Sequence, residues 1–178
     1  MDIKSKDPLL TAATVLVVLS QIVMIFGMVM LGIGIGALLT VGRTGLLAEI
    51  ALSGAPPVAF WLVILAMLTG IVLLGLAWRF LNELRGIIKT VDAGDPFRHD
   101  NADRLNRMGW IAIIGQVIVM PVAALALWSA PYLDKVEREL HIDGAFDWTT
   151  ILLALVLFIL ARVFRHGAAM RADLEGTV

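Results

Sequence analysis

Asp92, Asp95, His99, Asp100 and Asp103 crowd one stretch of the chain, and carboxylates beside an imidazole are the donors of an oxygen-and-nitrogen metal site. Their spacing matches no metal-binding motif, and turn and cap duties account for the aspartates. His141 stands in an acidic segment and His166 beside a basic one. Each is a lone, solvated histidine, and His141 is the one placed to respond to external pH. With no cysteine, disulfides, thiolate chemistry and cysteine-ligated metals are excluded. No phosphate-binding glycine-rich loop, no G-x-S-x-G and no H-E-x-x-H is present. Gly32, Gly34 and Gly36 lie inside an apolar run instead of at a strand-to-helix turn, so they form no nucleotide fingerprint. The expectation is a protein with no catalytic residue, cofactor or metal.

The elements that would position any site are set by composition. Of 178 residues, 60% are hydrophobic and 16% charged, against an apolar share of about 45–50% in soluble domains. A chain long enough for one domain cannot hide that excess, because small domains bury only about two thirds of their surface. The excess needs a second apolar phase, and lipid supplies it. The net charge of −1 gives no reason to expect direct binding of nucleic acid.

A helix needs about 20 residues to cross ~30 Å of hydrocarbon with its backbone satisfied internally. Four runs qualify, at about 9–39, 58–78, 109–130 and 149–164. The first follows Lys4 and Lys6 but far exceeds the ~7–15 residues of a signal-peptide core, with no A-x-A closing it. It reads as a retained anchor. The first three runs hold no charge, and Arg162 lies near enough to the end of the fourth to snorkel. Trp61, Trp78, Trp110, Trp128 and Trp148 all fall near predicted ends, at headgroup level. Pro56, Pro57 and Pro131 lie outside the runs, while Pro121 is expected to kink the third. The fold class is all-α, a polytopic four-helix transmembrane bundle forming one domain over 1–178.

Lys4, Lys6, Arg79, Arg85, Lys89, Arg98, Arg104, Arg107, Arg162, Arg165 and Arg171 fall on one side of these spans. Arg43, Lys135 and Arg138 fall on the other, among Glu49, Asp134, Glu137, Glu139, Asp143 and Asp147. The positive-inside rule then places both termini, the loop 79–108 and the tail 165–178 in the cytoplasm of a bacterial cell, with the spans in its inner membrane.

The second helix is expected to continue past the membrane. Phe80, Leu81, Leu84, Ile87, Ile88 and Val91 follow one helical face, and Arg79, Asn82, Glu83, Arg85 and Lys89 occupy the rest. Gly94 and the Asp95–Pro96 turn end it. Asp100 or Asn101 then caps a helix leading into the third span, with Asp103 in its first turn. The amphipathic face has two readings, resting on headgroups or against the tail, or docking a partner helix.

Ser20, Gln21, Thr69 and Gln116 are the polar groups within the spans. Interhelical amides of this kind contribute ~0.6 kcal/mol on average as packing glue, and the functional alternative is a polar cavity lining. The absence of ionisable residues in mid-membrane disfavours a proton relay or ion-coupled transport. Gly32 and Gly36 form a G-x-x-x-G, and Ala66 and Gly70 share its spacing. They suit close helix packing within the chain or in a homo-oligomer.

Two segments carry a family likeness. The loop reads Leu84-Arg85, then Gly94-Asp95-Pro96-Phe97, Asn101, Arg104-Leu105 and Met108-Gly109. The tail reads Phe164-Arg165-His166-Gly167-Ala168, Met170-Arg171, Asp173, Glu175 and Thr177-Val178. Together they resemble the bacterial four-helix membrane-protein family termed domain of unknown function 2975. Its members have a Gly-x-Pro-Phe element between spans two and three and an acidic tail ending in Thr-Val. Gly176 departs from the larger apolar residue usual there. The family has no assigned activity, and the resemblance implies as partner a small helix-turn-helix regulator of the Cro type, often encoded alongside.

The preferred expectation is a membrane sensor or scaffold that docks such a regulator through Phe97, Arg104, Met170, Asp173, Glu175, Thr177 and Val178. The alternative is a small transporter or channel subunit, with Gln21 and Gln116 lining its path. A lipid-modifying enzyme is the third reading, disfavoured by the scarcity of paired polar groups in the spans.

Overall fold

The computed structural model describes residues 7–129 and 147–175. These form five α-helices, α1 (Pro8–Thr40), α2 (Arg43–Leu52), α3 (Ala59–Asp92), α4 (His99–Ser129) and α5 (Trp148–Glu175). Among the described residues there is no strand. Apart from α2, each is long and apolar enough to cross a membrane, with mean hydropathy of 1.9 to 2.6 over its most apolar stretch. No more than 17% of any such stretch is buried inside the protein, so the apolar side chains face outward and need lipid as solvent.

Local chemistry sets the helix ends. The Asp7 carboxylate accepts the Leu9 N–H at 3.0 Å, and Pro8 takes the first helical position of α1, where its missing N–H costs nothing. At the end of α3, Gly94 adopts φ 80°. That left-handed residue lets the Asp95 N–H turn back to the Thr90 carbonyl at 3.0 Å, which closes the helix with a Schellman-type bond. Pro121 lies inside α4, which runs through it.

The chain divides into two compact units. One comprises residues 1–24, 76–114 and 148–178. Its core is Leu105, Met108, Leu157 and Ala161, with Phe80, Leu84, Ile87 and Phe164 packed on it. The other comprises residues 25–75 and 115–147. There α1 and α3 approach closely where glycines leave room. A Cβ at Gly34 would lie 2.7 Å from the Met67 methyl, and one at Gly70 would lie 3.2 Å from Leu31. The small-residue spacing therefore serves contacts within the chain, but through Gly34 in α1, because Gly32 and Gly36 face open space.

The structure corrects or completes the sequence reading in four places. First, the segment after the first span, to which no element was assigned, folds as the ten-residue α2. Secondly, of the two readings of the amphipathic face of α3, packing within the chain describes Phe80, Leu84 and Ile87, which lie against the core from α4 and α5. Thirdly, Glu83 is buried and not on a solvated face. Fourthly, α4 begins at His99, so Asp100 and Asn101 both lie in its first turn and neither caps it.

Candidate functional site

The distinctive polar residues collect in the first unit, where α3, α4 and α5 carry their charged ends. Glu83 is the centre of one cluster. Its carboxylate meets the guanidinium groups of Arg104 at 3.4 Å, Arg107 at 3.5 Å and Arg79 at 3.9 Å. A buried carboxylate is costly unless several charged donors compensate it, and three cations do so here. Arg104 reaches Glu83 by lying across Gly86, one turn along α3, where any Cβ would overlap the guanidinium. A side chain there would force the guanidinium to move.

Asn101 anchors the turn between α3 and α4. Its side chain is fully buried. The amide nitrogen donates to Thr90 Oγ1 at 2.6 Å and to the Pro96 carbonyl at 2.8 Å. Thr90 in turn donates to the Ile87 carbonyl at 2.7 Å. One amide thus ties the last turn of α3 to the loop and to the first turn of α4.

A third set of contacts fastens the loop to α5. Phe97 rests on Gly167, where a Cβ would come within 2.8 Å of the ring, and its centroid lies 5.4 Å from that of Phe164. Asp95 pairs with Arg171, and Asp103 accepts from Arg165 at 3.3 Å. Gly109 repeats the device deeper in the unit, seating the Phe158 ring, which also meets Trp110 edge-on at 5.6 Å.

The residues expected to bind a partner therefore fall into two groups. Phe97 and Arg104 make contacts within the chain, with Phe97 still 45% exposed. Met170 and Asp173 are exposed on α5. Glu175 ends that helix, while Thr177 and Val178 lie outside the described residues. Gln21 is buried in the first unit, and Gln116 is half-buried in the second. Of the acidic and histidine residues near the turn, Asp95, Asp100 and Asp103 each pair with an arginine. Among the described residues no three His, Asp or Glu side chains converge as a metal site would require. His141 lies outside the described residues.

Glu83 and Gly86 were missed as site residues, and Asn101 and Gly167 figured only as motif residues without their structural roles. Glu83 had a signal, because it is the only acid between Glu49 and Asp92 and stands four residues after Arg79. That is ion-pair spacing on a helix. The two glycines give no sign in sequence of which ring or guanidinium they seat.

Four long apolar helices, three of them joined at their charged ends, define a polytopic helical membrane protein. The family model described as Protein of unknown function (DUF2975) matches residues 7–178, and the chain belongs to that family. No curated protein and no solved structure matches it.

Proposed function

We propose that this chain is a non-enzymatic protein of the bacterial inner membrane that docks a small helix-turn-helix regulator on its cytoplasmic side. The observation that carries the proposal is the surface at the end of α5. Met170, Asp173 and Leu174 stand at i, i+3 and i+4, and Met170 and Leu174 are 62% and 71% exposed. A helix of 28 residues is about 42 Å long, which exceeds the ~30 Å hydrocarbon thickness. Arg162, Arg165, His166 and Arg171 occupy the final stretch of α5, so that stretch is the part in water. Apolar side chains held there at one-face spacing suit a protein partner.

The residues fall to two roles in this reading. Phe97 fastens the turn to α5 and Arg104 ties α4 to Glu83 of α3, while the partner meets Met170, Asp173, Glu175, Thr177 and Val178. The cytoplasmic side follows from the excess of lysine and arginine at these ends. The choice of regulator as occupant rests on the family likeness of the loop and tail.

Two measurements test this. A fluorescent reporter that matures only in the cytoplasm, fused after Val178, should light up. The tagged full-length chain should co-purify the helix-turn-helix protein encoded beside it, and Met170→Asp with Leu174→Asp should abolish capture while the protein still reaches the membrane. A periplasmic terminus, or undiminished capture by the double variant, would overturn the proposal.

A further inference from the structure

The Glu83 cluster sits at a particular depth. Arg79 is the first charged residue after the apolar run of α3, and Arg107 the last before that of α4. Both meet the same carboxylate, so the cluster lies where hydrocarbon gives way to water. Trp78 precedes Arg79 and Trp110 follows Arg107 by one turn, and both indoles are exposed, as they are at a headgroup layer.

The charge there does not balance. Glu83 is the one acidic partner of Arg79, Arg104 and Arg107 among the described residues, and three guanidinium groups against one carboxylate leave two positive charges. The Glu83 side chain is 7% exposed, whereas those of Arg79 and Arg107 are 60% and 50% exposed. Each guanidinium has five N–H donors in a fixed fork. Glu83 meets one terminal nitrogen each of Arg79 and Arg107, which leaves the other donors for a second anion. A fork of this kind matches phosphate oxygens in pairs.

We propose that Arg79 and Arg107, set in place by Glu83 and flanked by Trp78 and Trp110, bind the phosphate of an anionic phospholipid headgroup. The three arginines compensate the buried carboxylate, and the half-exposed Arg79 and Arg107 carry surplus positive charge that an outside anion offsets. The adjoining apolar runs and exposed indoles favour a lipid over a soluble phosphate. This reading holds whichever way the chain is oriented and whether or not α5 docks a partner.

The test uses the full-length protein in a neutral detergent. Its thermal midpoint is followed while dioleoyl phosphatidylglycerol, dioleoyl phosphatidylcholine or glycerol phosphate is added. Phosphatidylglycerol should raise the midpoint saturably and phosphatidylcholine should not. Arg79→Gln with Arg107→Gln should weaken the apparent affinity for phosphatidylglycerol at least about tenfold, as expected for two arginines at a headgroup surface. Lys89→Gln with Arg98→Gln should leave it within about twofold, since neither residue touches Glu83. If the double variant fails to fold, the single variants decide, each expected to lose about fivefold. Equal response to both lipids, or undiminished affinity in the variants that fold, would overturn the proposal. Glycerol phosphate binding as tightly as the lipid would make this a soluble-anion site and overturn it as well.

Discussion

Arg104 and Gly86 are matched across α4 and α3: the guanidinium occupies the space that any side chain at position 86 would fill. The pair explains how a long cation reaches buried Glu83 between two packed helices. It also gives a test in which the sign of an effect reverses.

Gly86→Ala should gain about 1 kcal/mol in helix propensity but displace Arg104 from Glu83. A hydrogen bond to a charged group contributes about 1.5–3 kcal/mol, so the net effect is a loss of about 1 kcal/mol. In an Arg104→Ala background the contact is already gone, and Gly86→Ala should become stabilising. Chemical denaturation in detergent of the four proteins of this cycle measures both signs. The same sign in both backgrounds would refute the coupling.

Glu83→Gln removes the counter-charge from three arginines. Breaking a buried pair costs about 3–5 kcal/mol, but these guanidinium groups are partly exposed and screened, so about 2 kcal/mol is expected. The variant should also respond to salt more than the wild type, since added ions screen the repulsion left among the arginines. Thermal midpoints at two ionic strengths check this.

Asn101→Ala leaves the Pro96 carbonyl without its donor in a buried setting, and a loss of about 2–3 kcal/mol is expected. Asn101→Asp should be worse. It turns a donor into an acceptor facing the Pro96 carbonyl and Thr90 Oγ1, whose proton is already given to Ile87. Ranked denaturation midpoints of wild type, Asn101→Ala and Asn101→Asp decide the matter, and an aspartate as good as alanine would argue against this geometry.

Gly167→Val should unseat the Phe97 ring, and Phe97→Ala should remove it. Either change should raise amide hydrogen exchange at residues 93–98 while leaving the core amides around Leu105 and Met108 protected. Faster exchange across the whole unit would mean that the ring is part of the core and not a local fastening.

Much of the fold was legible because lipid imposes a simple rule on helix length and charge. The runs at 9–39 and 58–78 emerged as parts of α1 and α3, and the continuation of α3 beyond Trp78 followed from the period of Phe80, Leu84 and Ile87. Periodicity, however, identifies a face and not its neighbour, so it could not say that α4 and α5 cover it. The α2 helix escaped because ten residues are too few to show a period against the turn signals of Gly42 and Gly54. The site was legible only as a set of residue types. Phe97, Asn101 and Arg104 stood out, yet their partners Gly167, Thr90 and Glu83 are distant in sequence or chemically silent. Long-range pairing of that kind is created by packing.

Gly167 gives Phe97 a flat seat instead of a socket. Lifting a ring from such a seat opens no void in α5, so release forfeits an aromatic contact and an exposed ion pair without the added penalty of a hole. The ring is thus a press-stud on the face of α5, and undoing it is expected to loosen the turn while every helix keeps its shape.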